Sequence, residues 1–248
     1  MSEKGEVAQR LWRLRAYCPF VFKMGDLEVK IFNRICSVIV IFTAAAFILS
    51  FSQNLIFRSA EVYGFYFNDS RAVDRIYTSL TSSEMADNIA DFMGSWMPEK
   101  FEVLEDTGYD MESVFTEEEG ANMMAAKKIL DISGVVLIIS MIITVAIYVY
   151  FLRDGKKKVL ADMFKVSIGL VIVGIMAEIG FMATNGGRSR VMEAAGMVEL
   201  GEDSQLAVLL GADFLNMAAI FLVVCTLIVL AVCTYANRIL TKPPRIFY

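Results

Sequence analysis

The stretch DISGVVLIISMIITVAIYVYFLR, residues 131–153, decides the fold. Between Asp131 and Arg153 it holds 21 residues without a single charge. A helix rising 1.5 Å per residue needs about 20 residues to cross the ~30 Å hydrocarbon core of a bilayer. The stretch therefore reads as a transmembrane helix. Three more intervals have the same form. No charge occurs between Arg34 and Arg58 or between Asp213 and Arg238, and Glu178 is the one charge between Lys165 and Arg188. A chain of 248 residues that is 56% hydrophobic, with mean hydropathy +0.55, is too apolar for an ordinary soluble domain. Four spans are predicted. The first is expected to be an uncleaved helix, because it is long, begins about 34 residues into the chain and lacks the short apolar region and cleavage site of a secretory signal.

Orientation follows from the basic residues. Segments 1–34, 153–165 and 238–248 hold fifteen Lys/Arg against six Asp/Glu, whereas 58–130 and 185–212 hold eight against nineteen. Positive-inside logic places both termini and the RDGKKK loop, Arg153 to Lys158, in the cytoplasm of a bacterial cell. The predicted organisation is a cytoplasmic basic amphipathic segment at 1–34, span one at 35–57, and an outward α+β subdomain at 58–130. Span two follows at 131–152, a basic loop at 153–165, span three at 166–184, a second outward segment at 185–212, span four at 213–237 and a cytoplasmic tail at 238–248. The expected class is an all-α membrane protein of four transmembrane helices, with a small α+β outward-facing domain between spans one and two.

The four cysteines fall in the N-terminal tail or inside spans, so no disulfide framework is implied. The absence of histidine removes the commonest acid–base residue and metal ligand. No cofactor, metal or nucleic-acid partner is expected. Residues 6–24 interleave Leu, Trp, Tyr and Phe with Arg10, Arg13, Arg15 and Lys23, a pattern suited to the anionic cytoplasmic leaflet.

Within 58–130, Asp69 or Ser70 is expected to cap a short helix bearing Val73, Ile76, Tyr77 and Leu80 on one face. Thr81-x-x-Glu84 has the form of a capping box, followed by Met85, Ile89, Phe92, Met93 and Trp96 at helical spacing, with Pro98 as the stop. Phe101 and Val103 alternate with Glu102, and Tyr109 with Met111, around an Asp106-Thr-Gly108 turn, which predicts a β-hairpin. In 185–212 a Gly-Gly break precedes Arg188 and Arg190, and a partly helical segment is expected. Pro243 and Pro244 are expected to end the last helix.

Just ahead of span two stands FTEEEGANM, Phe115 to Met123. Thr116 with Glu119 makes a second capping box, and the glutamates meet the positive end of a helix dipole. Physics alone thus accounts for the carboxylates. Asn122 lies on a neighbouring face and cannot serve as a general base.

The stretch resembles the bacterial lipoprotein intramolecular transacylase family, four-span proteins whose motif F-x-x-x-E-x-x-H-M stands immediately before the second span. Phe115, Glu119 and Met123 keep that spacing. The segment LTSSEMADNIADFMGSWMPEKFEVLEDTGYDMESVF before it resembles the family's order of short helix, extended segment and motif. Asn122 stands where the family has histidine, Ala125 where an acidic residue is common, and Arg188 near the family's second histidine. The resemblance implies acyl transfer from a lipoprotein's diacylglyceryl group to its own terminal amine, with membrane lipid, lipoproteins or another membrane protein as partners. Proton movement between amine and leaving oxygen suits imidazole, which this chain lacks.

Glu178 inside span three and Asp213 at the start of span four are carboxylates at or near membrane depth, where they face protein or a water-filled cavity. Asn185, Arg188 or Asn216 are the expected partners of Glu178. The candidate site is an outward-facing polar pocket built from Glu119, Asn122, Glu178, Arg188 and Asp213. The favoured reading is a lipid- or partner-binding membrane subunit without the histidine chemistry. The alternative is an active acyltransferase using Glu119 or Glu178 as base and Arg188 on the oxyanion. The third is an oligomeric transporter or channel subunit.

Overall fold

The computed structural model describes residues 26–96, 100–106, 110–198, 200–201 and 203–242. The basic segment at 6–24, Pro98, the Thr107–Tyr109 turn and Pro243 and Pro244 lie outside the described residues. The chain divides into two units, residues 1–39 and 40–248. The described part of the first is the start of helix α1 (Asp26–Phe57), where Ser37 Oγ donates to the Asn33 carbonyl at 2.7 Å.

In the second unit, α1 is followed by α2 (Ala60–Ser70), a 3₁₀ turn (Val73–Arg75), α3 (Ser82–Gly94), β1 (Leu104–Asp106) and β2 (Met111–Ser113). Then come α4 (Glu117–Arg153), α5 (Lys157–Ala183), α6 (Asn185–Ala195), α7 (Gln205–Leu210) and α8 (Ala212–Thr241). The spans Val29–Phe57, Glu117–Arg153, Lys157–Met182 and Gln205–Thr241 are long and apolar enough to cross a membrane. Large apolar side chains stand bare along them, among them Ile132, Ile142 and Val145 of α4 and Val173 and Met176 of α5. Apolar faces on this scale need lipid to cover them. This is a multi-pass helical membrane protein.

Helix α4 is longer than the apolar run that announces it. Its 37 residues measure about 55 Å, well beyond the hydrocarbon core. Glu117 to Leu130 are therefore the first turns of the same rod as span two. Thr116 caps it: its hydroxyl accepts from the Glu119 amide at 3.3 Å, and the Glu119 carboxylate accepts from the Thr116 amide at 2.8 Å. Thr81 and Glu84 make the same reciprocal box at α3.

The helix expected to start at Asp69 or Ser70 is absent. Those residues end α2 instead, because Arg71 turns into the left-handed region at φ 51°. The freed carbonyls there are taken by Ser70 Oγ, which donates to Tyr66 O, and by Arg75, which donates to Ser70 O. Val73–Arg75 manages one 3₁₀ turn, and Tyr77 stands 92% exposed instead of on a packed face. The apolar stripe of α3 packs as its spacing demands, with Met85, Ile89, Phe92 and Met93 buried, whereas Trp96 lies beyond the helix and is exposed. The helix ends at Gly94, ahead of Pro98. The hairpin forms antiparallel, Leu104 opposite Ser113, Glu105 opposite Glu112 and Asp106 opposite Met111. Glu105 accepts from Thr78 Oγ1 at 2.8 Å and from the Ser79 amide at 2.6 Å, and these bonds hold its carboxyl below the usual range.

Two cores result. One joins Tyr63, Phe67, Met85, Ile89, Phe101 and Phe115 to Leu206 and Leu209 of α7 and Phe214 of α8. Tyr63 stacks on Phe214 with ring centres 5.3 Å apart, and its hydroxyl donates to Phe57 O at 2.9 Å. The segment between spans three and four thus completes the core of the segment between spans one and two. The other core lies between α1 and α5, from Ala45, Ile48, Phe164, Val171 and Ile175.

Candidate functional site

The first turns of α4 hold Glu119 and Asn122 three residues apart, on one side of the helix, where Val198, Ser204 and Leu206 meet them. Both side chains are buried, 2% and 5% exposed. Glu119 Oε2 accepts from the Thr116 amide and, at 3.1 Å, from the Thr116 hydroxyl. Its Oε1 accepts from Ser204 Oγ at 2.6 Å and from the Leu206 amide at 3.0 Å. Four donors occupy the two oxygens. Asn122 Nδ2 donates to Val198 O and its Oδ1 accepts from Val198 N, each at 2.8 Å. The amide imitates a strand partner for one residue. Neither group is left to take a proton from a substrate; together they clamp one interhelical segment to the other.

Glu178 and Arg188 lie elsewhere. They help line a partly open cavity of about 340 Å³, whose walls come from α1, α3, α4, α5, α6 and α8. Glu119, Asn122 and Asp213 are not among its lining residues. The single polar pocket expected from the sequence is therefore two sites, a clamp and a cavity. Met197, the neighbour of the clamped Val198, connects them by forming part of the cavity wall.

The partner of Glu178 is neither Asn185, Arg188 nor Asn216. Gln53 Nε2 of α1 donates to Glu178 Oε1 at 2.6 Å, while Gln53 Oε1 accepts from Ser133 Oγ of α4 at 2.8 Å. Asn54 Nδ2 donates to the same Ser133 hydroxyl at 3.2 Å and to Ser50 O at 2.8 Å. Arg188 Nη2 donates to Asn185 Oδ1 at 2.9 Å. Inside hydrocarbon a side chain finds no water, so a carboxylate, an amide and a hydroxyl on three helices satisfy each other. Glu178 Oε2 is the exception: it is buried with no hydrogen-bond partner.

Two further polar groups border the cavity's helices. Arg58 Nη2 pairs with Asp131 Oδ1 at 2.8 Å, and the guanidinium lies 5.2 Å from the Trp96 ring centre. Gly134 makes room for this group, since a Cβ there would stand 3.3 Å from Asn54 Oδ1 and 3.4 Å from Arg58 Nη2. Lys127 is 2% exposed, and its ammonium donates to Phe92 O at 2.7 Å, to Ser95 O and to Ser95 Oγ at 3.1 Å. It thereby caps the C-terminal end of α3 with a positive charge. Gln53, Ser133 and Lys127 were missed in the sequence reading. A signal existed for the first two, polar side chains inside runs that otherwise repel them; nothing local marks Lys127 as buried.

Comparison with solved structures places the fold. The chain is similar to the membrane integral lipoprotein intramolecular transacylase Lit from Bacillus cereus, at TM-score 0.64 and 17% identity, covering 85% of this chain and 96% of that one. It is equally similar, at TM-score 0.65 and 17% identity, to two variants of the same protein in which one histidine is replaced by arginine or by alanine. These matches cover 85% of this chain and 92% and 94% of theirs. No protein-family model and no curated protein matches the sequence. The resemblance read from Phe115 to Met123 holds at the level of the fold.

Proposed function

We propose that this chain is a membrane lipid- or partner-binding protein of the transacylase fold that works without histidine-based acyl transfer. Its home on this reading is a bacterial cytoplasmic membrane, with both termini in the cytoplasm and the 58–130 and 185–212 segments outside. The observation that carries the reading is Asn122. At the position of the motif histidine it spends both halves of its amide on the Val198 backbone, and an amide neither takes nor gives a proton near neutral pH. The polar residues of the motif serve as clamp, and the cavity beside it is left to bind.

Mass spectrometry of lipoproteins from a host expressing this chain tests the reading. Diacylglyceryl lipoproteins are expected to pass through unchanged. Appearance of the N-acyl, monoacylglyceryl form would overturn it.

One observation favours a second reading, an acyltransferase that uses Glu178. Its Oε2 has no hydrogen-bond partner and Arg188 lines the same cavity. On this reading Glu178 takes the proton from an attacking hydroxyl or amine, and Arg188 donates to the oxyanion. Glu119, with four donors on its two oxygens, drops out as a base. Acyl transfer that survives Glu178→Gln rules the second reading out.

A further inference from the structure

At about 340 Å³ the cavity lined by Glu178 and Arg188 sits at the small end of ligand sites, ~300–1,000 Å³. Its walls are apolar, with Phe57, Leu130, Phe181 and Leu215 around it, and Met93, Met182 and Met192 supply flexible thioethers that mould to an irregular chain. Among the described residues, Gln53, Ser133, Glu178 and Arg188 are the polar side chains that line it. Gln53 and Ser133 satisfy one another and Glu178 Oε1. That leaves Glu178 Oε2, a buried acceptor with no donor, and Arg188, which donates to Asn185 Oδ1. A buried acceptor without a donor is costly, and a guanidinium is the side chain best matched to phosphate.

We propose that this cavity takes a single-chain glycerophospholipid, a lysophospholipid. Its alkyl chain lies among the aromatic and aliphatic walls, its free glycerol hydroxyl donates to Glu178 Oε2, and its phosphate meets Arg188. The proposal rests on the lipid-binding half of the proposed function. Chemistry selects this class. At ~30 Å³ per methylene-sized group the cavity encloses about eleven such groups, so it takes the part of one lipid around its glycerol while the rest of the chain leaves through the open side. A diacyl phospholipid has no free hydroxyl on its acylated glycerol carbons. A fatty acid would set a second carboxylate beside Glu178. A monoacylglycerol supplies the hydroxyl but nothing for Arg188.

The test uses the full chain, purified in detergent, and displacement of a fluorescent single-chain lipid. Lauroyl-lysophosphatidylglycerol is compared with monolauroylglycerol, dilauroyl-phosphatidylglycerol, lauric acid and inorganic phosphate. The lysophospholipid is expected to bind at least about tenfold more tightly than each of the other lipids, with inorganic phosphate failing to compete. Arg188→Ala is expected to abolish its advantage over monolauroylglycerol while leaving monolauroylglycerol binding in place. Ile129→Trp, at a partly exposed position that lines the cavity, is expected to block both without lowering thermal stability. Equal affinity for lysophospholipid and monolauroylglycerol overturns the phosphate assignment and leaves the lipid-binding reading standing. Binding of no single-chain lipid, or binding unaffected by Ile129→Trp, overturns the cavity as a lipid site altogether.

Discussion

Asn122 shows how one residue can change what a motif is for. In a buried setting its amide replaces a backbone partner and pins the exposed Val198 to the start of α4 through both backbone groups. Asn122→Ala strips both bonds and releases the Val198 backbone from α4. Thermal unfolding in detergent is expected to show a loss of roughly 1–3 kcal/mol. Such a variant is also expected to loosen Met197 at the cavity wall. Glu119 illustrates the limit of local reading. Its capping role was legible from Thr116-x-x-Glu119, because a capping box needs only residues three apart. Its bonds to Ser204 and Leu206, 85 and 87 residues away, were not.

At the scale of single elements, α3 and the hairpin carry the testable features. Lys127 holds the carbonyls at the end of α3 from a neighbouring helix. Lys127→Met keeps the length of the side chain and removes three donors, so the Phe92 and Ser95 carbonyls lose their partner. The expected cost is roughly 1–3 kcal/mol, measured by thermal unfolding at neutral pH. In the hairpin, Glu105 stands opposite Glu112, a pairing of like charges, yet its carboxyl is held low by Ser79 and Thr78. A carboxyl with a depressed folded value stabilises above its unfolded value of ~4.3 and loses that contribution as pH falls through the folded one. Glu105→Gln is expected to flatten the acid side of the stability–pH curve below about pH 5, and a curve that keeps its full slope would contradict this. The elements themselves divide clearly. Helices α3 and α4 announced themselves through caps and spacing. The short helix expected at 70–80 did not form, because its would-be cap residues were already spent on ending α2, at an arginine in the left-handed region.

At the scale of the whole molecule, the polar chain Glu178–Gln53–Ser133 fastens α5, α1 and α4 to one another inside the apolar zone. Gln53→Leu alone strands the Glu178 carboxylate and is expected to destabilise the protein by roughly 1–3 kcal/mol. Replacing both, Gln53→Leu with Glu178→Leu, is expected to return stability to within about 1 kcal/mol of the unaltered chain, since interhelical polar contacts in membranes are individually modest. A double variant as weak as the single one would show that the pair contributes more than mutual satisfaction.

What the sequence by itself determined is the count and class of the membrane helices and the capped start of α4. Those properties depend on runs of 20 or so residues, or on neighbours three apart, and a linear reading sees both. What only the tertiary structure decided is which polar residues share a site. Glu119 and Asn122 went to the clamp because Val198, Ser204 and Leu206 lie against them, and Glu178 went to Gln53 because α1 and α5 pack side by side. Buried polar groups must find partners wherever the fold brings them. In a chain of four long helices those partners lie some 75 to 125 residues away, a distance over which sequence spacing carries no information.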